Sequence, residues 1–345
     1  MPSNASQSSA GRFAFDGAFT LAVPRDQGLD GTMSNPSSIL SPQAKGVLAA
    51  IGACSIWGLS PIFYKQVSHV PAIEVLAHRT VWSLVFFGGI LAVQGRLGQV
   101  RAAMNTGPKL GWLALASLMI GTNWFLFIWA VGAGRTTESS LGYYILPLVA
   151  VVIGRVVFGE ALKRSQWVAV ALATGAVVLL TVGLQAPPWI ALTLAVSFGI
   201  YALIKKRLEV GPVVSVTAEV LLMLPIALIV LLQSEHTGGS AFHAGAWTMG
   251  VLLISGPVTA LPLILFSYAA RRVRMTSLGL VQYLNPTLQF SCAVFVFSEP
   301  FTGWHMIAFG MIWVALAIYA ASMFAQDRAA RRAAVAAAVS GTGVT

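Results

Sequence analysis

The chain has 345 residues, of which 57% are hydrophobic and only 9% charged, and its formal net charge is +10. A soluble globular protein carries roughly 25% charged residues, so this little charge cannot cover a water-facing surface, and a soluble multidomain architecture is excluded. Nucleic acid is not the expected partner either, because Lys and Arg stand singly or in small groups between apolar runs and form no single patch.

Residues 1–44 are rich in Ser, Asn, Gly and Pro and hold no apolar run of signal-peptide type. They read as a disordered tail, with Met33 as an alternative start. Ten apolar runs follow, at 45–67, 71–93, 110–131, 136–158, 165–183, 187–204, 212–232, 246–268, 276–298 and 302–323. Each is near the length of roughly 20 residues that a bilayer demands. The runs are apolar on every side and do not alternate, so they predict transmembrane helices and not barrel strands. Their separators are short and carry Pro, Gly or charge, as at Val70-Pro71, Gly107-Pro108, Pro187-Pro188 and Gly211-Pro212. Residues 324–345 form a tail with Arg328, Arg331 and Arg332 and an Ala-rich stretch, read as a short helix or disordered. Cys54 and Cys292 lie inside apolar runs and fit neither a disulfide framework nor a metal spacing.

Cytoplasmic loops of membrane proteins carry the excess of Lys and Arg. Alternate gaps hold Arg96, Arg101 and Lys109; Lys163 and Arg164; Lys205, Lys206 and Arg207; and Arg271, Arg272 and Arg274. With both tails included, 17 basic residues fall on one side, against Arg135 alone on the other. Both termini are therefore expected in the cytoplasm.

The chain also repeats. At a spacing of 141, Gly58, Lys65 and Pro71 match Gly199, Lys206 and Pro212. At 139, Arg135, Tyr144, Pro147, Phe158 and Glu160 match Arg274, Tyr283, Pro286, Phe297 and Glu299. The expected units are 45–183 and 184–323. Five helices is an odd number, so the second unit must enter the membrane inverted, an architecture of transporters with a site near the midplane.

Ionisable groups deep in a membrane are costly unless paired or facing water. Glu74, His78 and Arg79 lie at the start of the second helix, with Glu74 and His78 four apart on one face. Either the trio lines a substrate cavity, with Arg79 gripping an anionic group, or Arg79 is an ion-pair partner of Glu74 or Glu138. Glu219 is the 141-spaced counterpart of His78. The two can approach one cavity from opposite sides and would be the proton carriers of a proton-coupled protein; otherwise Glu219 is protonated and hydrogen-bonded to a neighbouring helix. Asn123 and Trp124, and also Trp129, Trp57 and Tyr201, offer a hydrogen bond and aromatic walls, or serve only helix packing. Tyr143, Tyr144, Gln282, Tyr283 and Asn285 stand near Pro147 and Pro286, where a freed backbone carbonyl marks a gate, a site or merely a satisfied kink. Lys65, Arg155 and Lys206 are expected to snorkel from helix ends, and Glu160 and Glu299 to be turn or helix-start signals. No phosphate-cradling loop or common hydrolase motif is present.

Several stretches carry a family likeness: Pro71-Ala-Ile-Glu74-Val-Leu-Ala-His78-Arg79, Gly121-Thr-Asn123-Trp124-Phe-Leu-Phe-Ile-Trp129-Ala, Ser140-Leu-Gly142-Tyr143-Tyr144, Gly159-Glu160 with Gln166-Trp167, Ser277-Leu-Gly279 through Gln282-Tyr283, and Trp313-Val-Ala-Leu-Ala-Ile318. In this order they resemble the drug/metabolite transporter superfamily, in its EamA branch. The sequence departs from the family pattern at Leu146, which usually is Asn, and at Asn285, which usually is Gly. The resemblance implies export or exchange of a small organic molecule across the bacterial inner membrane, without enzymatic activity or cofactor. An intramembrane enzyme and a non-transporting scaffold are the alternatives.

Overall fold

A computed structural model describes residues 41–341, apart from 106, 160, 161, 186, 209 and 274. The expectations for the tail up to residue 40, for Glu160 and for Arg274 therefore lie outside the described residues.

The described chain is helical. Ser41 starts α1 (Pro42–Lys65): its hydroxyl accepts from the Ala44 amide, and Pro42 occupies the first turn, where its missing N–H costs nothing. Next come α2 (Ala72–Val93), α3 (Leu97–Met104), α4 (Gly107–Gly132), α5 (Thr136–Phe158), α6 (Arg164–Leu184), α7 (Trp189–Arg207) and α8 (Pro212–His236). A 3₁₀ turn at Ala241–His243 leads into α9 (Ala246–Ala270); α10 (Met275–Gln282), α11 (Leu284–Ser291) and α12 (Gly303–Gly341) complete the chain. Eight of these helices are long and apolar enough to cross a membrane. The 19-residue α7 is shorter, though at 1.5 Å per residue it still reaches about 28 Å.

Three elements differ from the sequence reading. The ninth run is not one helix. Pro286 lacks an N–H and its ring opposes the carbonyl of Gln282 four residues back, and that is where α10 stops. After α11, residues Cys292–Val296 form a π turn closed by the Phe297 amide on the Cys292 carbonyl at 2.9 Å. The loop at 94–109 contains α3, which buries Val100 and Ala103 three residues apart on one face. The last helix does not end near 323 but continues to Gly341, the last described residue.

Packing respects the repeat. Helix α1 lies against α9, and α7 against α4; α1 meets α11, and α7 meets α5; α2 packs on α9, and α8 on α4; α2 and α8 pack on each other, as do α6 and α12. Exchanging the halves maps this set onto itself. Gly58 and Gly199 show it at atomic scale: a Cβ on Gly58 would stand 2.6 Å from Leu288 on α11, and one on Gly199 would stand 2.9 Å from Ile153 on α5. Small residues let helices approach this closely where no water drives them together. Val85, Val182, Ile226 and Phe295 face outward, as a hydrocarbon environment permits.

One end of the molecule is tied across the halves. The Glu299 carboxylate accepts from the Thr136 and Thr137 amides at 2.7 Å each and from the Thr137 hydroxyl at 2.8 Å, capping α5. Ser298, at φ +52°, turns the chain so that this reach is made. Glu299 was expected as a local turn or helix-start signal; it caps a distant helix instead. Glu74 accepts from the Ala241 amide at 2.7 Å, and the His69 ring pairs with the Thr248 hydroxyl at 3.1 Å.

Candidate substrate site

The first turns of α2 carry Glu74, His78 and Arg79 inward, where they are respectively 2%, 1% and 6% exposed. Glu74 is held by the Ala241 amide and His78 packs at 5.0 Å against the Phe242 ring, with its Nε2 unpartnered. Arg79 is not the ion-pair partner of either expected carboxylate: Glu138 binds Arg135 at 2.6 Å, Glu74 is engaged as above, and Arg79 forms no ion pair among the described residues. Its guanidinium lies 4.0 Å from the centre of the Trp124 ring and 5.6 Å from that of Tyr64. Its Nε has no hydrogen-bond partner, and neither has the Tyr64 hydroxyl.

Magnitudes make this arrangement informative. Two cation–π contacts contribute about 1–4 kcal/mol together. An ion taken out of water without a counter-charge costs several kcal/mol. The aromatic cradle offsets part of that cost and leaves a positive site that an anion would complete.

Behind Arg79 the interior continues as an aromatic and polar chain. Tyr64 meets Phe127 edge-on, Phe127 meets Tyr143, and Tyr143 meets Phe198, which packs on Tyr201. Tyr143 donates to Asn123 Oδ1 at 2.9 Å, and Asn123 donates to the Leu194 carbonyl at 2.9 Å and to Ser197 Oγ at 3.2 Å. All four polar positions of this bridge between α4, α5 and α7 are thereby satisfied. Trp57 rests on Phe266, and Trp129 on Trp189, as packing aromatics do.

The chain ends at Glu219, 1% exposed on α8. It accepts from Tyr201 at 3.0 Å, from Ser215 at 2.7 Å and from Lys205 at 2.7 Å. Lys205 reads in the sequence as a loop charge, yet its side chain folds inward to this carboxylate and to Ser215. Lys205 and Glu219 stand, at the 141 spacing, where Tyr64 and His78 stand in the first half. One half thus holds a closed ion pair, and the other holds two unpartnered groups beside Arg79.

Other expected site residues lie elsewhere. Tyr144 bonds Thr287 at 2.8 Å and packs on Phe309 and Trp313. Tyr283 belongs to the same core around α5, α6 and α12, and Gln282 is exposed. Gln289, unremarked in the sequence, is buried and joins Asn285 at 2.8 Å. A cavity of about 330 Å³ opens between the α1–α2 turn and the end of α4, with Tyr64, His69 and Trp129 in its wall; an apolar groove of about 420 Å³ runs between α2, α4 and α8. Neither is lined by Arg79, His78 or Glu219. Among the described residues no cluster of three metal-ligating side chains occurs.

The model of the EamA-like transporter family matches this chain twice, at residues 44–182 and 187–321. The chain belongs to the EamA-like transporter family. An "Uncharacterized transporter" of Vibrio cholerae is 40% identical over 84% of this chain and 96% of its own. "Protein RarD" is 43% identical in Streptomyces exfoliatus, over 80% of this chain and 88% of its own. "Protein RarD" of Escherichia coli is 39% identical over 80% and 93%. A solved crystal structure with 16% identity covers 80% of this chain and 97% of its own at a TM-score of 0.54, a likeness of fold alone. With eight apolar helices of spanning length, this EamA protein is a RarD-like, multi-pass protein of the bacterial inner membrane.

Proposed function

We propose that this EamA protein is a secondary transporter that exports or exchanges a small organic metabolite or drug by alternating access. The moving parts are two inverted five-segment units, 45–183 and 184–323, with both termini in the cytoplasm. The observation that carries the reading is the buried, unpaired Arg79 in its Trp124–Tyr64 cradle, close to where α1, α2 and α4 meet. A scaffold gains nothing from such a charge, whereas a carrier needs a polar anchor inside an apolar wall. Glu74, His78 and Asn123 hold and shape the neighbourhood of that anchor. Glu219 anchors the opposite half, while Tyr144, Gln282 and Tyr283 support the broken ninth segment. The symmetric exchange of helix contacts supports two units that rock against each other.

Metabolite profiling of cells with and without the gene, followed by uptake of the best candidate into proteoliposomes, tests the reading. Saturable movement that Arg79→Gln abolishes is the expected result. A protein that moves none of the accumulated metabolites is not a carrier of them, and the proposal then fails.

A further inference from the structure

We propose that the transported molecule is an organic carboxylate, bound through its anionic group by Arg79 and Tyr64 with its apolar body on Trp124. This deepens the carrier reading above and rests on it. The argument is a census of buried charge. Each of the other buried carboxylates is already engaged: Glu74 by the Ala241 amide, Glu299 by the start of α5, and Glu219 by Lys205, Tyr201 and Ser215. Glu74 and Glu299 lack a counter-charge too, but their donors satisfy them; among the described residues Arg79 is the one buried Asp, Glu, Lys or Arg side chain with neither an ion pair nor a hydrogen bond.

Two donors remain open, the Arg79 Nε–H and the Tyr64 O–H, on side chains whose guanidinium and ring centre lie 5.6 Å apart. A guanidinium and a phenol match a carboxylate, which accepts at both oxygens and brings the missing negative charge. A neutral amide or alcohol would leave the charge uncompensated. The cationic face is apolar on its flank, since Trp124 covers it at 4.0 Å, so the ligand is organic and not a small hydrated ion. Tyr64 also fixes the route. It forms part of the wall of the 330 Å³ cavity at the α1–α2 end while its ring abuts Arg79. Tyr64 thus touches both the cavity and the proposed anion-binding Arg79, and a shift of its side chain is the proposed way in.

The halves differ in the way this requires. At the positions of Tyr64 and His78 the second half places Lys205 and Glu219, which neutralise each other. The vacancy for a counter-ion is confined to the first half, so one carboxylate binds per chain.

Isothermal titration of the purified full chain in neutral detergent tests this. The ligands are a panel of aryl and alkyl carboxylates, each paired with its primary amide, and inorganic phosphate. At least one carboxylate is expected to bind one per chain, with its amide weaker by about tenfold or more, the worth of one charge-assisted contact. Arg79→Gln should abolish that difference and Tyr64→Phe should reduce it; unchanged helical circular dichroism and gel-filtration profile establish that both variants are folded. Equal binding of acid and amide, no binding by any carboxylate, binding of phosphate alone, or full retention of the preference in Arg79→Gln overturns the assignment. If a neutral metabolite moves in proteoliposomes while no carboxylate binds, the anion class fails and the carrier reading stands. If a carboxylate binds and nothing moves, the site stands and the carrier reading fails.

Discussion

Among the described residues, buried charges divide into those that have hydrogen-bond or ion-pair partners and Arg79, which has none. Arg79, Glu74 and Glu219 are legible in the sequence because an ionisable residue inside an apolar run is costly and demands a reason. Their partners are not legible. Lys205 sits among Lys206 and Arg207 at a helix end and looks like a cytoplasmic charge; only tertiary structure brings its side chain to Glu219 and Ser215. Tyr64 carries no charge, and only tertiary placement sets it beside Arg79. The Lys205–Glu219 pair yields a sharp test. Glu219→Gln leaves a mostly buried ammonium unanswered and should lower stability by about 1–3 kcal/mol, below the cost for a fully buried pair because Lys205 retains some exposure. The double variant Lys205→Met, Glu219→Gln should recover most of that loss. Thermal unfolding in detergent reads both, and a double variant as unstable as the single one contradicts a compensated pair.

Among the elements, long apolar helices were plain from composition, while breaks and caps were not. Two prolines occupy matching positions, yet α5 runs straight through Pro147 and the ninth segment stops before Pro286. A proline announces a lost hydrogen bond; the neighbours decide whether the helix bends or ends. The π turn and left-handed Ser298 that follow are likewise tertiary products, since they aim Glu299 at α5. That cap answers two amides of the kind every helix start leaves open. Glu299→Ala should therefore destabilise the protein by about 2–4 kcal/mol, from the loss of charge-assisted hydrogen bonds to buried donors. Glu299→Gln, which keeps one acceptor, should fall between. Equal melting of Glu299→Ala and wild type would show that water replaces the carboxylate.

For the whole molecule, two matching halves were legible from spacings of 141 and 139, because Gly, Pro and Lys fall at the same places in each. The exchange of packing partners was not, since no spacing says which helix touches which. The placement of Lys and Arg supports the proposed orientation, with both termini in the cytoplasm. In a chain whose Cys54 and Cys292 have been replaced, a membrane-impermeant maleimide applied from the periplasm should label Thr237→Cys and spare Gly211→Cys. The reverse pattern would refute the inverted arrangement.

The ties of Glu299, Glu74 and His69 all lie at one end of the helices and all join one half to the other. In a carrier working as proposed, that end separates on every cycle, and the work of separation must come from the passenger. Each charge-assisted bond broken resists by about 1.5–3 kcal/mol, so a ligand shifts the equilibrium only by the amount it prefers the open form. A molecule that merely neutralises Arg79 would sit and block, whereas one with enough apolar body to press on the aromatic wall would be carried. Inhibitors and passengers would then differ by size along a single chemical series. For carboxylates of increasing chain length, transport should begin at a threshold length although binding begins earlier, and Glu299→Ala should move that threshold to shorter chains.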